Sequence, residues 1–314
     1  MSKTLENKQI AHVPVLAEEV CKGLELKNKR NIVDCTLGLA GHARIILQNL
    51  GSTGRLFGFE VDSDNLKLAK KNLRPFFKKV TFINKNFENL TEELKKLRIK
   101  SIDGVLLDLG LSSPQVDLAE KGFSFLREGP LDMRFDKKQP LTAAQIINKY
   151  PVGELTRIFK DYGEEFLGRK IALGIAKRRH ARAFKTTTEL ARFIEKLIKR
   201  KSHIHPATRV FQALRIEVNH ELEALKNVLR QAVSFLKPGG RLVVISYHSL
   251  EDRITKQFFK ELSRSFLNEP GKLTTTYLKP SLKIISKKPI TPSLKEAQSN
   301  PRSRSAKLRI AEKL

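Results

Sequence analysis

Asn31-Ile32-Val33-Asp34-Cys35-Thr36-Leu37-Gly38-Leu39-Ala40-Gly41-His42 begins as a short apolar run and closes that run on an acid. It then passes through glycines into Ala43-Arg44-Ile45-Ile46-Leu47, whose pattern predicts a helix. Strand, glycine turn and helix in that order build the crevice of an open α/β sheet, where glycine lets backbone approach a ligand closely. Glu60 stands near the tip of the next apolar run, Arg55 to Asp62, and lies 22 residues after Gly38. A carboxylate there can accept both hydroxyl protons of a ribose. The arrangement points to a nucleoside-containing cofactor. The glycine spacing is not that of a dinucleotide site, and a tight turn capping a helix is the plainer alternative.

A second acid has the same setting. Ser101 to Gly110 is nearly all apolar until Asp108, as expected of a strand buried on both faces. Asp108 therefore falls at the carboxyl end of a sheet, beside the crevice, with Leu111-Ser112-Ser113-Pro114-Gln115 following as a loop. Phe87 lies just past a third strand, Lys79 to Asn84, where a purine ring can rest or a core can form. His248 follows a later strand and reads as structural. His203 and His205 lack a third ligand, so no metal is expected.

The elements that must hold these groups follow from periodicity. A helix is expected over Val15 to Leu24 and another over Ser63 to Leu73 with Ser63 as N-cap. Strands alternating with helices through residue 110 imply a parallel, right-handed α/β sheet. Residues 116–212 then read as helical or irregular. Thr186-Thr187-Thr188-Glu189 has the form of a capping box. It opens a helix with Leu190, Phe193, Ile194, Leu197 and Ile198 on one face and Arg192, Lys196, Lys199 and Arg200 on the other. Apolar residues from Phe211 to Leu236 predict one long helix, and Arg241 to Ser246 a fifth strand. The sheet resumes there, so the helical block is an insertion. A helix over Leu250 to Leu267 follows, and Leu282 to Ile285 and Ala306 to Ile310 are two further strands completing seven.

The formal charge is +27, and two segments carry most of it. Lys177 to Arg209 holds 11 basic and 2 acidic side chains, and Gly271 to Leu314 holds the same numbers. Clustered positive charge points to a polyanion, either nucleic acid or an acidic membrane face. The insert candidates for phosphate contact are Arg178, Arg179, Arg182, Lys199, Arg200 and Arg209, and the tail candidates are Arg302, Arg304 and Arg309. With only Cys21 and Cys35, no disulfide framework is expected. No window is long enough to span a bilayer, and the expected location is cytoplasmic.

Seven stretches resemble one family. They are Gly38 to His42, Asp108 to Gln115, Gly122 to Phe125, Gly129 to Arg134, His205 to Arg209, Ile245 to Arg253 and Asn300 to Arg309. The chain resembles the ribosomal RNA small subunit methyltransferase H family, bacterial 16S rRNA cytosine-N4 methyltransferases, in order from His12 to Lys313. The resemblance implies a Rossmann-like class I methyltransferase sheet of seven strands with an inserted helical domain. It divides the chain into an S-adenosylmethionine domain, 1–115 and 213–314, and an insert, 116–212, for substrate RNA. It implies S-adenosylmethionine as cofactor and a cytidine of the decoding centre, in 16S rRNA or the 30S subunit, as target, with no membrane partner and a homodimer left open. Cofactor contacts are implied at Ala40, Gly41, His42, Glu60, Phe87, Asp108 and Gln115. Ala40 stands where glycine is usual and Glu60 where aspartate is commoner.

Methyl transfer from a sulfonium is an in-line displacement, served by alignment and exclusion of water. The cytosine amine is a weak nucleophile, and an acceptor for one of its hydrogens would aim its lone pair at the methyl group. Asp108 and the Ser112-Ser113-Pro114 loop, Ser113 in particular, are placed to supply that acceptor. The rival readings are the same fold acting on another RNA or protein, an RNA-binding assembly factor without turnover, and a dinucleotide dehydrogenase.

Overall fold

The computed structural model describes residues 14–198, 204–268 and 275–314. Nine strands are present among them: β1 (Asn31–Asp34), β2 (Arg55–Phe59), β3 (Val80–Ile83), β4 (Ile102–Asp108), β5 (Leu236–Ser246), β6 (Phe266–Asn268), β7 (Thr275–Tyr277), β8 (Leu282–Ile284) and β9 (Lys307–Lys313). Seven form one sheet in the order β3-β2-β1-β4-β5-β9-β8. The first five are parallel, and β9 runs antiparallel between β5 and β8. The strand order reverses beside β1, so the carboxyl ends of β1 and β4 open a crevice there.

Alternation along the central strands makes two cores. Leu106, Val243 and Ile245 point to one face, against Val20 and Leu24 of α1 (Ala17–Leu24), Ile46 of α2 (Gly41–Asn49) and Leu66 of α3 (Ser63–Asn72). Val105, Leu107, Leu242 and Val244 point to the other, against Leu94 of α4 (Leu90–Lys96), Leu225 and Leu229 of α11 (Glu221–Phe235) and Phe259 of α12 (Ser249–Leu262). Burial on both faces is why these strands read as continuous apolar runs.

Between β4 and β5 the chain builds a third core of its own. After α5 (Ser113–Asp117) come α6 (Ala143–Lys149), α7 (Val152–Asp161), α8 (Gly168–Ala181), α9 (Thr187–Ile198) and α10 (Thr208–Asn219). Ile146, Phe159, Ile171, Leu190, Ile194 and Leu214 meet in this core, which extends to Val218. It is tied to the sheet by a buried ion pair between Lys121 and Asp62.

Local expectations needed correction at several points. The helix expected from Phe211 to Leu236 is two, α10 and α11, joined at His220 with φ 51°. The apolar spacing persists through the break, yet Val218 packs in the helical core and Leu225 against the sheet. Asn219 fixes the turn, its Oδ1 accepting from Phe135 N–H at 2.8 Å and its Nδ2 donating to Met133 O at 2.8 Å. Asp62, not Ser63, caps α3, accepting from Asp64 N–H at 3.0 Å. At α9, Thr186 Oγ1 accepts from Glu189 N–H at 3.3 Å, while Glu189 Oε2 accepts from Lys185 N–H at 2.9 Å. The reciprocal arm of the capping box is therefore one residue early. The helix expected to reach Leu267 stops at Leu262, and Phe266–Asn268 pairs with Thr275–Tyr277 as a hairpin.

Candidate active site

The turn after β1 is held by the neighbouring strands. Cys35 N–H donates to Leu106 O and Leu37 N–H to Phe59 O, both at 2.9 Å. Gly38 and Ala40 adopt left-handed conformations, with φ 52° and 68°. That conformation costs an alanine about 1–2 kcal/mol and a glycine almost nothing. Ala40 N–H donates to Leu37 O at 2.7 Å, and its methyl is buried away from the crevice. Its own N–H is thus engaged inside the turn. Ala40 instead turns the chain so that Gly41 and His42 begin α2, whose start no side chain caps.

The crevice is a cavity of about 620 Å³, in the range of small-molecule sites. One half is walled by Thr36 to Gly38, Gly41, His42, Glu60, Asn65 and Phe87. Glu60 is buried, and its Oε1 accepts from Asp62 N–H at 2.8 Å. Burial pushes its carboxyl up to about 8. Asn65 donates from Nδ2 to Ser112 Oγ at 3.1 Å, and its buried Oδ1 has no hydrogen-bond partner among the described residues. Phe87 lines the cavity while also packing on the sheet core.

The other half is centred on Asp108, at the tip of β4. Asp108 N–H donates to Thr36 Oγ1 at 2.7 Å, and Oδ1 accepts from the Tyr247 hydroxyl at 2.8 Å. Oδ2 lies 3.4 Å from His42 Nε2. Burial holds the Tyr247 hydroxyl well above its usual range, and the adjacent Asp108 carboxylate adds to this. Gly110 makes room for Tyr247, since a Cβ there would lie 2.8 Å from its ring. Behind this pair, burial raises Asp34 to about 6, and its Oδ2 has no hydrogen-bond partner among the described residues. Gln115 is buried on the cavity wall in a capping box, its Oε1 accepting from Ser112 N–H at 2.9 Å. Ser113 also lines the cavity, and its Oγ accepts from Arg302 Nη1.

Six of the seven residues put forward as cofactor contacts line this one cavity, as does Ser113; Ala40 does not. Residue patterns missed Asn65 and Tyr247, and they put Arg302 forward only as a phosphate contact, not as part of this cavity. Tyr247 had a readable signal, because it stands directly after an apolar strand, as Leu109 does after β4. Arg302 had none for its place in the cavity.

The model of the MraW methylase family matches residues 9–314. The chain belongs to this family. Similar curated proteins named ribosomal RNA small subunit methyltransferase H come from Dehalococcoides mccartyi and Clostridioides difficile. The first is 49% identical over 305 residues, covering 96% of this chain and 86% of that protein. The second is 44% identical over 307 residues, covering 96% of this chain and 99% of that protein. Among solved structures, an rRNA methylase from Streptococcus thermophilus covers 99% of both chains at 10% identity and a TM-score of 0.42. The seven-stranded sheet of this chain, five parallel strands followed by an antiparallel pair, is of the Rossmann-like kind.

Most of the methylase's candidate phosphate-binding arginines already have partners inside the protein. Arg178 pairs with Glu189 and stacks 3.9 Å from the Phe184 ring centroid. Arg179 donates to Ile147 O at 2.8 Å, Arg209 to Glu164 O at 3.0 Å, and buried Arg309 to Asp252 at 2.7 Å. Arg182 and Arg304 are exposed, as are Arg192 and Lys196 on α9. Lys199, Arg200 and His203 lie outside the described residues. His205 accepts from Ala207 N–H at 3.1 Å and packs its ring on Phe125. Among the described residues no helix is long and apolar enough to cross a membrane.

Proposed function

We propose that this methylase transfers the methyl group of S-adenosylmethionine to the exocyclic N4 of a cytidine in the decoding centre of 16S rRNA, within the small ribosomal subunit and in the cytoplasm. The observation that carries the proposal is Asp108, a cavity-lining carboxylate at the tip of β4 with one oxygen fixed by Tyr247 at 2.8 Å. The relatives' names supply the small-subunit rRNA, and the motif resemblance supplies the cytosine amine.

The residues present suit the cofactor. Glu60 and the unpartnered Asn65 Oδ1 are acceptors for ribose hydroxyls. The uncapped start of α2 at Gly41 and His42 would hold the carboxylate of the amino-acid moiety. Phe87 would flank the adenine, and Asp108 and Gln115 close the site. When bound, the cofactor supplies an activated methyl on a sulfonium. Asp108 accepts one amino hydrogen and turns the nitrogen lone pair out of the base plane, toward the methyl. Cavity walls contributed by the sheet, the insert and the tail keep water from the displacement. The target base must leave its stack, at a cost of a few kcal/mol. We assign the compensating RNA contacts to the inserted helical unit, drawn as 116–212, and to the exposed cations around it.

Labelled S-adenosylmethionine incubated with unmethylated 30S subunits, followed by nucleoside mass spectrometry, tests this directly. Label in N4-methylcytidine is the expected result. Label in another nucleoside overturns the assigned atom, and bound cofactor with no label points to an assembly factor.

A further inference from the structure

Arg302 comes from the far end of the chain yet forms part of the cavity wall, with Ser299 to Pro301 beside it. Its Nη2 donates to both oxygens of Asp117, at 2.8 and 3.0 Å, and its Nη1 donates to Ser113 Oγ. The Asp117 contact fixes the plane of the guanidinium. Arginine carries five N–H donors in a rigid fork, so donors remain once these bonds are made. Ser113 is changed by the contact. With Arg302 donating into one of its lone pairs, this buried serine keeps its hydroxyl hydrogen for an acceptor other than Arg302. Charge patterning had placed Arg302 on a phosphate. The structure places it in the cavity, where it and Ser113 present donors and Asp108 presents an acceptor.

We infer that Asp108, Ser113 and Arg302 together read the Watson–Crick edge of the target base. The inference rests on the cytidine proposal above and deepens it. The edge of cytosine runs donor at N4, acceptor at N3, acceptor at O2. An acceptor followed by two donors is its complement. Uracil would set O4 against the Asp108 carboxylate and N3–H against a donor, leaving buried polar groups unpaired. A site built to hydrogen-bond a particular edge rejects analogues lacking it far more strongly than an apolar pocket can. Asp117 is a positioning residue, acting through Arg302. The tail thereby gives the cavity its selectivity, while the sheet gives it the cofactor.

Small subunits reconstituted with cytidine or 3-deazacytidine at the methylated position test the inference, because the analogue replaces the N3 acceptor with C–H. The wild-type protein should lose roughly 10- to 100-fold in kcat/KM on the analogue. Arg302→Gln should lose a similar factor on cytidine and show little further loss on 3-deazacytidine, with S-adenosylhomocysteine affinity close to wild type. A variant that keeps the wild-type ratio between the two substrates overturns the inference. So does one that keeps this ratio and only flattens the salt dependence, since that is a phosphate contact. If Arg302→Gln fails to bind S-adenosylhomocysteine, Ser113→Ala carries the same comparison, with the same expected and overturning ratios. Failure of the wild-type protein to methylate cytidine N4 at all defeats the underlying function instead.

Discussion

The two halves of the cavity are assembled in different ways. The half beneath β1 to β3 takes Thr36 to Leu39, Gly41 and His42 from one continuous turn and adds Glu60, Asn65 and Phe87 from beyond the next two strand ends. The half around Asp108 takes the loop after β4, Arg215 and Asn219 from α10, Tyr247 from beyond β5, and Ser299 to Arg302 from the tail. A cofactor site can be made from neighbouring strand ends because an α/β sheet aligns them. A site that excludes water around a second, much larger substrate must be closed by segments distant in the chain. Substitutions should therefore divide cleanly, those in the first half changing cofactor affinity and those in the second changing turnover.

Asp108 stands where the halves meet and tests the division most severely. Asp108→Asn should lower turnover at saturating cofactor by roughly 100-fold, the lower end of what a positioned proton acceptor contributes. Cofactor affinity should fall by only a few-fold. Single-turnover kinetics and calorimetry separate the two. Lost affinity with full turnover at saturation would move Asp108 wholly into the cofactor half.

Arg178 tests whether the cations of the insert, which adjoins the second half, are binding groups or framework. It pairs with Glu189, lies over Phe184, and is about one-quarter exposed. Arg178→Ala should cost about 2 kcal/mol of stability, from the broken ion pair and the lost stacking together. Denaturant titration measures this. RNA affinity at fixed salt should change little once the protein is folded.

The same contrast explains what could be read without coordinates. Alternating apolar runs announced five parallel strands and two tail strands, because a strand buried on both faces has no other composition. Glu60 and Asp108 were legible because each directly ends or follows such a run. Ala40 showed its place but not its conformation, since a left-handed alanine leaves no mark on composition. The break at His220 was hidden because apolar residues recur every three or four positions on both sides of it, although they enter different cores. The place of Arg302 in the cavity could not be found by pattern, because its partners Ser113 and Asp117 lie 189 and 185 residues away. A count of charges gives no sign of which arginines fold inward.

Glu60 sharpens the first half through pH. Burial raises its carboxyl from 4.5 to about 8, so the ligand-free protein folds with this group protonated. Its contribution to stability is present in full below the unfolded value and is lost as pH rises through about 8. Ribose hydroxyls donating to Glu60 favour the ionised form and oppose that shift. Cofactor binding at neutral pH should then release up to about one proton, and affinity should rise with pH toward the folded value. Calorimetry in two buffers of different ionisation enthalpy reads the proton directly. Glu60→Gln should abolish the release. An unchanged proton count in that variant would overturn the assignment of the titration to Glu60.

Arg182 gives the smallest effect and the finest test of the insert beside the second half. Only four residues from Arg178, it is 76% exposed, and its Nε is 4.0 Å from Glu189. Its charge faces solvent and is free to neutralise a phosphate. Each such contact contributes about −0.7 to −0.9 to the slope of log K against log salt, through the counterions it displaces. Arg182→Gln should flatten the slope by about one contact while leaving Tm unchanged. Arg178→Gln should lower Tm and leave the slope alone, because its charge is already balanced by Glu189. Equal flattening by both would mean that RNA draws Arg178 out of its pair, and that the framework of the insert reorganises when the substrate docks.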